Sequence, residues 1–187
     1  MGRFLRESTV GREPLAVAMS GVRLGERILQ IGITDRRVTG ALAAKPGLSG
    51  ESAIVVTDEA AAERARRAAA DAGALVHVAV HSLERLPFES GSFDVAVVHA
   101  GDAQAAAGVP RAGVLGECRR VLRSGGRIVV LEAGTRTGLA GIFRAREPRE
   151  AGATSQELQA AGFQAVRILG DRDGCRFIEG LKVDLQK

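Results

Sequence analysis

Apolar residues fall in short, nearly continuous runs separated by longer amphipathic stretches, an alternation that begins at residue 27. The runs "RILQIGI" (27–33), "AIVVTD" (53–58), "VHVAVH" (76–81), "FDVAVVHA" (93–100) and "GRIVVLEAG" (126–134) are rich in Val and Ile. A strand wetted on one face alternates polar and apolar positions, whereas a strand covered on both faces does not. These runs therefore predict buried strands of a parallel sheet. Between them "DRRVTGALAA", "DEAAAERARRAAADAG" and "GVLGECRRVLRSGG" read as helices, the second stopping at Gly73 and the third at Gly125–Gly126. Strand and helix in regular alternation predict βαβ units with right-handed crossovers.

The pattern changes toward the end of the chain. "TSQELQAAGF" places Glu157 three residues after Thr154, the spacing of a capping box. "AVRILG", "DRDG" and "CRFIEGLKV" then read as strand, tight turn and strand, an antiparallel hairpin that closes the sheet. The expectation is one domain over residues 1–187, with 1–12 a flexible N-terminal segment.

Composition narrows the function classes. No apolar run approaches the ~20 residues that span a bilayer, and "MGRFLREST" has no secretory core, so a cytoplasmic location is expected. Cys118 and Cys175 form no CxxC pair and are expected to be reduced thiols. The net charge is +4, and only Lys45, Lys182 and Lys187 of the 26 basic residues are lysine. The arginines sit beside acids, as in "AAAERARRAAADAG", which reads as a solvated surface rather than a nucleic-acid face. With no Trp or Tyr, the chain also lacks stacking platforms for single strands.

Three stretches carry a family resemblance. "LERLPFESGSFDVAVVHAG" (83–101), "LGECRRVLRSGGRIVVLEAG" (115–134) and "LQAAGFQAVRILGDRDGCRFIEGLKV" resemble corresponding segments of the class I S-adenosylmethionine (SAM)-dependent methyltransferases, in the branch of the ubiquinone and menaquinone C-methyltransferases. The similarity covers residues 20–183. It implies an α/β Rossmann-like fold: a mostly parallel seven-stranded sheet, helices on both faces, and a C-terminal antiparallel hairpin. It also implies SAM as cofactor and methyl transfer as activity.

The resemblance further implies where the cofactor would lie, and there the residues depart from it. The family has an acid on strand one, then three glycines at alternate positions. Gln30, Gly32, Thr34 and Arg36 occupy those places, so only the first glycine remains. Glycine matters because a Cβ obstructs a tight turn and a close ligand. Asp35 is suited to cap the next helix, which argues against a phosphate cradle. At the end of strand two Asp58 takes the place of the ribose-binding acid, or merely caps its helix. At the end of strand three Ser82 replaces the adenine-binding aspartate, and Leu83 would offer its backbone N–H.

His77 and His81 are four residues apart on one strand, about 13 Å, too far to share a metal ion. His99 ends strand four with Asp102 close behind, making this pair the candidate base for an acceptor. No metal cluster is expected. Phe88 and Phe143 are the aromatic residues placed to clamp a flat acceptor. Two functions remain open. One is a methyltransferase with an eroded SAM motif and an unidentified small or macromolecular acceptor. The other is a catalytically inactive descendant serving as a binding or assembly module with a protein partner or a second copy.

Overall fold

The computed structural model describes residues 14–33, 35–100, 110–133, 152–172 and 175–184. Among these, strands β1 (Arg27–Ile31), β2 (Glu51–Val56), β3 (His77–Val80), β4 (Phe93–His99), β5 (Leu122–Ala133), β6 (Gln164–Arg172) and β7 (Cys175–Leu181) form one seven-stranded sheet. The order is β3-β2-β1-β4-β5-β7-β6. β1 pairs in parallel with β2 and β4, β2 with β3, and β4 with β5. β7 runs antiparallel between β5 and β6. This is the Rossmann-like architecture expected from the sequence. The order reverses at β1, and in open α/β sheets the ligand crevice lies at such a point, here between the carboxyl ends of β1 and β4.

Both faces of the central strands β1, β2, β4 and β5 are covered, which explains the lack of polar alternation there. The edge strand β3, with no strand pairing beyond it, has His77 and Val80 exposed and is not the buried strand its apolar run predicts. On one face lie helices α1 (Leu15–Ser20), α2 (Arg36–Ala44) and α3 (Glu59–Asp71), packed on Ile28, Val95, Val97, Ile54 and Val56. On the other, α4 (Arg111–Val121) and α5 (Ala153–Ala160) bury Val114, Leu115, Cys118 and Leu158 against Ile31, Val98, Ile128 and Val130. Cys118 is fully buried, and desolvation, with Glu117 beside it, pushes its thiol up to about 12. Cys118 is a free thiol. No helix among the described residues is long and apolar enough to cross a membrane.

Several boundaries differ from the sequence reading. α1 lies in a stretch that the pattern had left without an element. α4 ends at Val121, four residues short of Gly125, because Leu122 is already extended (φ −71°, ψ 140°) and opens β5. Gly125 then turns left-handed (φ 74°) within that strand. Its N–H donates to the Lys182 carbonyl at 2.8 Å, and the Lys182 N–H donates to the Gly126 carbonyl at 2.8 Å. α5 is preceded by Gly152 at φ 103°, not by a Thr154 cap. Thr154 is buried and its hydroxyl is engaged elsewhere, so the expected capping box does not form. Residues 1–12 and the tip of the hairpin at 173–174 lie outside the described residues.

The alanine-rich α3 permits an unusually close helix pair. A Cβ built on Gly40 of α2 would sit 2.2 Å from the Ala68 carbonyl oxygen of α3, a distance no real contact allows. Gly40→Ala should therefore lower stability by about 1–2 kcal/mol, although alanine is the better helix former by about 1 kcal/mol. A lowered urea midpoint with an unchanged slope would register it.

Candidate functional site

The carboxyl ends of β1, β2, β3 and β4 bring most of the candidate residues to one edge. After Ile31 the chain turns at Gly32, whose φ of 75° suits glycine. Its N–H donates to the Val55 carbonyl at 2.8 Å, extending the β1–β2 ladder by one residue. Ile33 then drops under α3 with Ile54, Val56 and Ala62, fixing the loop from below. Thr34 lies outside the described residues. Asp35 caps α2: its Oδ1 accepts the N–H groups of Arg37 at 2.9 Å and Val38 at 3.3 Å. Arg36 is ion-paired with Asp71 at the far end of α3.

Asp58 ends the β2 segment in extended backbone and caps α3, with Oδ1 accepting the Ala61 N–H at 2.7 Å. The carboxylate is exposed, and Oδ2 stands outside this cap bond. Ser82 is exposed too, and its hydroxyl oxygen accepts the Glu84 N–H at 3.2 Å, closing a short turn. Leu83 follows with its side chain 1% exposed, anchored in the core below α4.

That 83–88 segment is held by a pair the sequence reading had not singled out. Glu117 Oε2 accepts the Leu86 N–H at 2.8 Å, and Arg120 donates to the carbonyls of Leu86 (3.1 Å) and Phe88 (2.8 Å). Arg120 also forks onto both Glu117 oxygens at 2.8 and 2.7 Å. That hydrogen bonding from Arg120 holds the Glu117 carboxyl below its ordinary value. Phe88 meets Phe93 edge-on at 4.9 Å and His77 at 6.2 Å. It is half-buried, with part of its ring packed against the core. Phe143 lies outside the described residues.

On the β4 side the geometry centres on His99. The ring is 2% exposed, and its Nε2 lies 3.0 Å from Oε1 of Gln30. Gln30 is itself fully buried, with Nε2 donating to the Thr39 carbonyl of α2 at 3.2 Å. An amide oxygen only accepts, so His99 Nε2 carries the hydrogen and Nδ1 carries the lone pair. Nδ1 is buried and has no partner among the described residues. Burial lowers the imidazole to about 4, leaving it neutral at pH 7. Asp102, its expected companion, lies outside the described residues.

A second polar cluster joins the starts of α4 and α5 to the end of β5. Arg111, with its side chain 7% exposed, reaches Glu157 at 2.9 Å, the Thr154 hydroxyl at 3.1 Å and Glu132 at 3.7 Å. Thr154 donates in turn to Glu132. Sequence proximity gave no signal for this cluster, because its members come from three elements. Among the described residues no group of ligating side chains could hold a metal ion.

Two tests follow from these buried groups. Arg111→Met removes the guanidinium that Glu157 and Glu132 share and should cost about 3 kcal/mol, read as a lowered urea midpoint. For His99, the folded value of about 4 lies below the unfolded 6.5, so the unfolded chain binds the proton first as pH falls. Its contribution to stability is complete above the unfolded value and is lost as pH drops from there toward about 4. By about pH 5 the loss should be about 2 kcal/mol. His99→Gln should flatten this part of the stability profile between pH 7 and 5.

Comparison with known proteins completes the description. The family model described as "Methyltransferase domain" matches residues 29–130. The ubiquinone/menaquinone biosynthesis C-methyltransferase of Bordetella parapertussis is 35% identical over 130 residues, covering 70% of this chain and 46% of that protein. That of Ralstonia pickettii is 31% identical over 116 residues, covering 62% and 46%. The chain thus spans about half the length of these curated relatives. A SAM-dependent methyltransferase from Aquifex aeolicus superposes with a TM-score of 0.68 at 17% identity, over 89% of this chain and 87% of that one. A putative methyltransferase of Haloferax volcanii, solved with the Trm112 methyltransferase activator, gives 0.64 at 16% identity, over 90% and 88%. At such identities these structures speak for the fold, and the matched family model speaks for descent: the chain belongs to the class I SAM-dependent methyltransferase family.

Proposed function

We propose that the chain binds SAM across the carboxyl ends of β1, β2 and β3 and presents it to an acceptor over the end of β4. The carrying observation is the exposed Asp58 carboxylate, which caps α3 through one oxygen and keeps the other clear of that bond. An oxygen so placed suits the vicinal hydroxyls of a ribose, as the nucleoside end of that cofactor requires. Gly32 fits as well, since its left-handed turn puts no Cβ at the crevice. Thr34 follows that turn and would border the ligand. Ser82 and the Leu83 N–H, on a segment pinned by the buried Leu83 side chain, would flank the base.

The cofactor supplies an electrophilic methyl group on a sulfonium. The chain's part is to hold donor and acceptor in line and exclude water, for positioning alone lowers a displacement barrier substantially. His99 is assigned an internal role, holding Gln30, because its ring is sealed and its Nε2 occupied. The acceptor is therefore a nucleophile that needs no proton removed by this histidine. Asp102 is the remaining carboxylate proposed for the acceptor side.

The sealed histidine also favours a second reading, a non-catalytic module that keeps the fold and binds a partner. The Haloferax protein, solved with an activator, is a fold neighbour with a protein bound to it.

Calorimetry with S-adenosylhomocysteine, the product, separates the two without knowledge of the acceptor. Micromolar binding is expected, weakened about tenfold or more in Asp58→Ser. Serine retains a helix-capping oxygen, so the unfolding midpoint should stay near that of the parent protein. Absence of heat at millimolar ligand overturns the cofactor reading and leaves the module.

A further inference from the structure

We infer that His81 reads the 6-amino group of the ligand's adenine through its Nε2 lone pair, so that the site selects 6-aminopurine over 6-oxopurine nucleosides. The inference rests on the cofactor reading above and names the side chain that chooses the base.

The strand ladder places this ring. β3 pairs with β2 as far as Val80 and Val56, and the His81 N–H then donates to the Val56 carbonyl at 2.9 Å. Val56 stands two residues ahead of Asp58, and paired strands run about 4.8 Å apart. His81 and the carboxylate proposed for the ribose are therefore carried on adjacent strand ends. The segment after His81 is fixed from behind by the buried Leu83 side chain and by the Glu117–Arg120 grip on residues 86 and 88. A pre-set edge of this kind needs little ordering when a ligand arrives.

The chemistry of the ring follows from its one bond. The imidazole is exposed, and its Nδ1 lies 3.2 Å from the Ser82 carbonyl oxygen. That oxygen only accepts, so Nδ1 carries the hydrogen and the neutral ring keeps its lone pair on Nε2. The same bond fixes how the ring is turned. Ser82 is less suited to the task, because its hydroxyl oxygen already accepts the Glu84 N–H at 3.2 Å. Adenine presents an amino donor beside the acceptor N1, whereas hypoxanthine presents a carbonyl oxygen beside an N–H. Nε2 gains a hydrogen bond from the first and meets an oxygen lone pair in the second. To accept hypoxanthine, the ring would have to move its hydrogen to Nε2 and give up the bond to Ser82.

The test is calorimetry on the full chain at about pH 8 with S-adenosylhomocysteine and with S-inosylhomocysteine, its 6-oxo counterpart. The parent protein should bind the first about tenfold tighter or more. His81→Phe keeps a flat ring at this exposed position and removes Nε2, so the unfolding midpoint should stay near that of the parent. In that variant the preference should fall about fivefold or more, through weaker binding of S-adenosylhomocysteine alone. A purely structural role for His81 would instead weaken both ligands equally and leave their ratio unmoved. If the parent prefers adenine by less than about tenfold, or the ratio falls by less than about fivefold in His81→Phe, the inference is overturned and the cofactor reading stands. If neither compound binds the parent at millimolar concentration, both fall together.

Discussion

A single hydrogen bond between two neutral side chains, Gln30 and His99, joins the strands at which the sheet reverses direction. Their neighbours along β1 and β4 are apolar and fully buried, so the pair sits in surroundings of low polarity. There a hydrogen bond is worth more than in water, and an orphaned partner is correspondingly unfavourable. The bond also reaches α2, since Gln30 donates onward to the Thr39 carbonyl. Strand β1, strand β4 and helix α2 are thereby fastened together below the crevice. The pair adds a side-chain tie to the backbone ladder that already joins β1 and β4.

The walls of the crevice have their own polar anchors. The 83–88 segment has no helix or strand to hold it, and its backbone bonds go instead to the Glu117–Arg120 pair. Across the sheet end, Arg111 ties α4 and α5 to β5 through Glu132, Thr154 and Glu157. In both places a charged side chain is partly buried and acceptable because several acceptors converge on it. Such arrangements favour one geometry over its alternatives more than they add to net stability.

Much of the architecture was legible in the sequence, because its cause is local. Continuous runs such as "VVTD" and "FDVAVVHA" report burial on two faces directly, and "DRDG" between two apolar runs reports the hairpin. Asp35 and Asp58 read as helix caps for the same reason, since a cap needs only its next few residues. Thr154 misled because its spacing to Glu157 suits a cap, while a tertiary partner, Arg111, takes both side chains. The end of α4 misled similarly, as the pairing of residues 125 and 126 with Lys182 converts a helix tail into strand. At the candidate site, the family resemblance assigned Gly32, Asp58, Ser82 and Leu83 to strand ends, and the strand order puts those ends along one edge of the sheet. The seclusion of His99 was not legible, for it depends on Gln30, 69 residues away in the chain.

Cys118 adds a consequence for how the protein meets oxidants and alkylating reagents. Its thiol is buried beneath α4 and deprotonates only near 12, so the native chain offers essentially no thiolate there. Only a thiolate attacks such reagents, so modification must wait until α4 lifts from β5. Damage at this sulfur is therefore a record of how often the sheet has been uncovered, and the fold itself is its antioxidant.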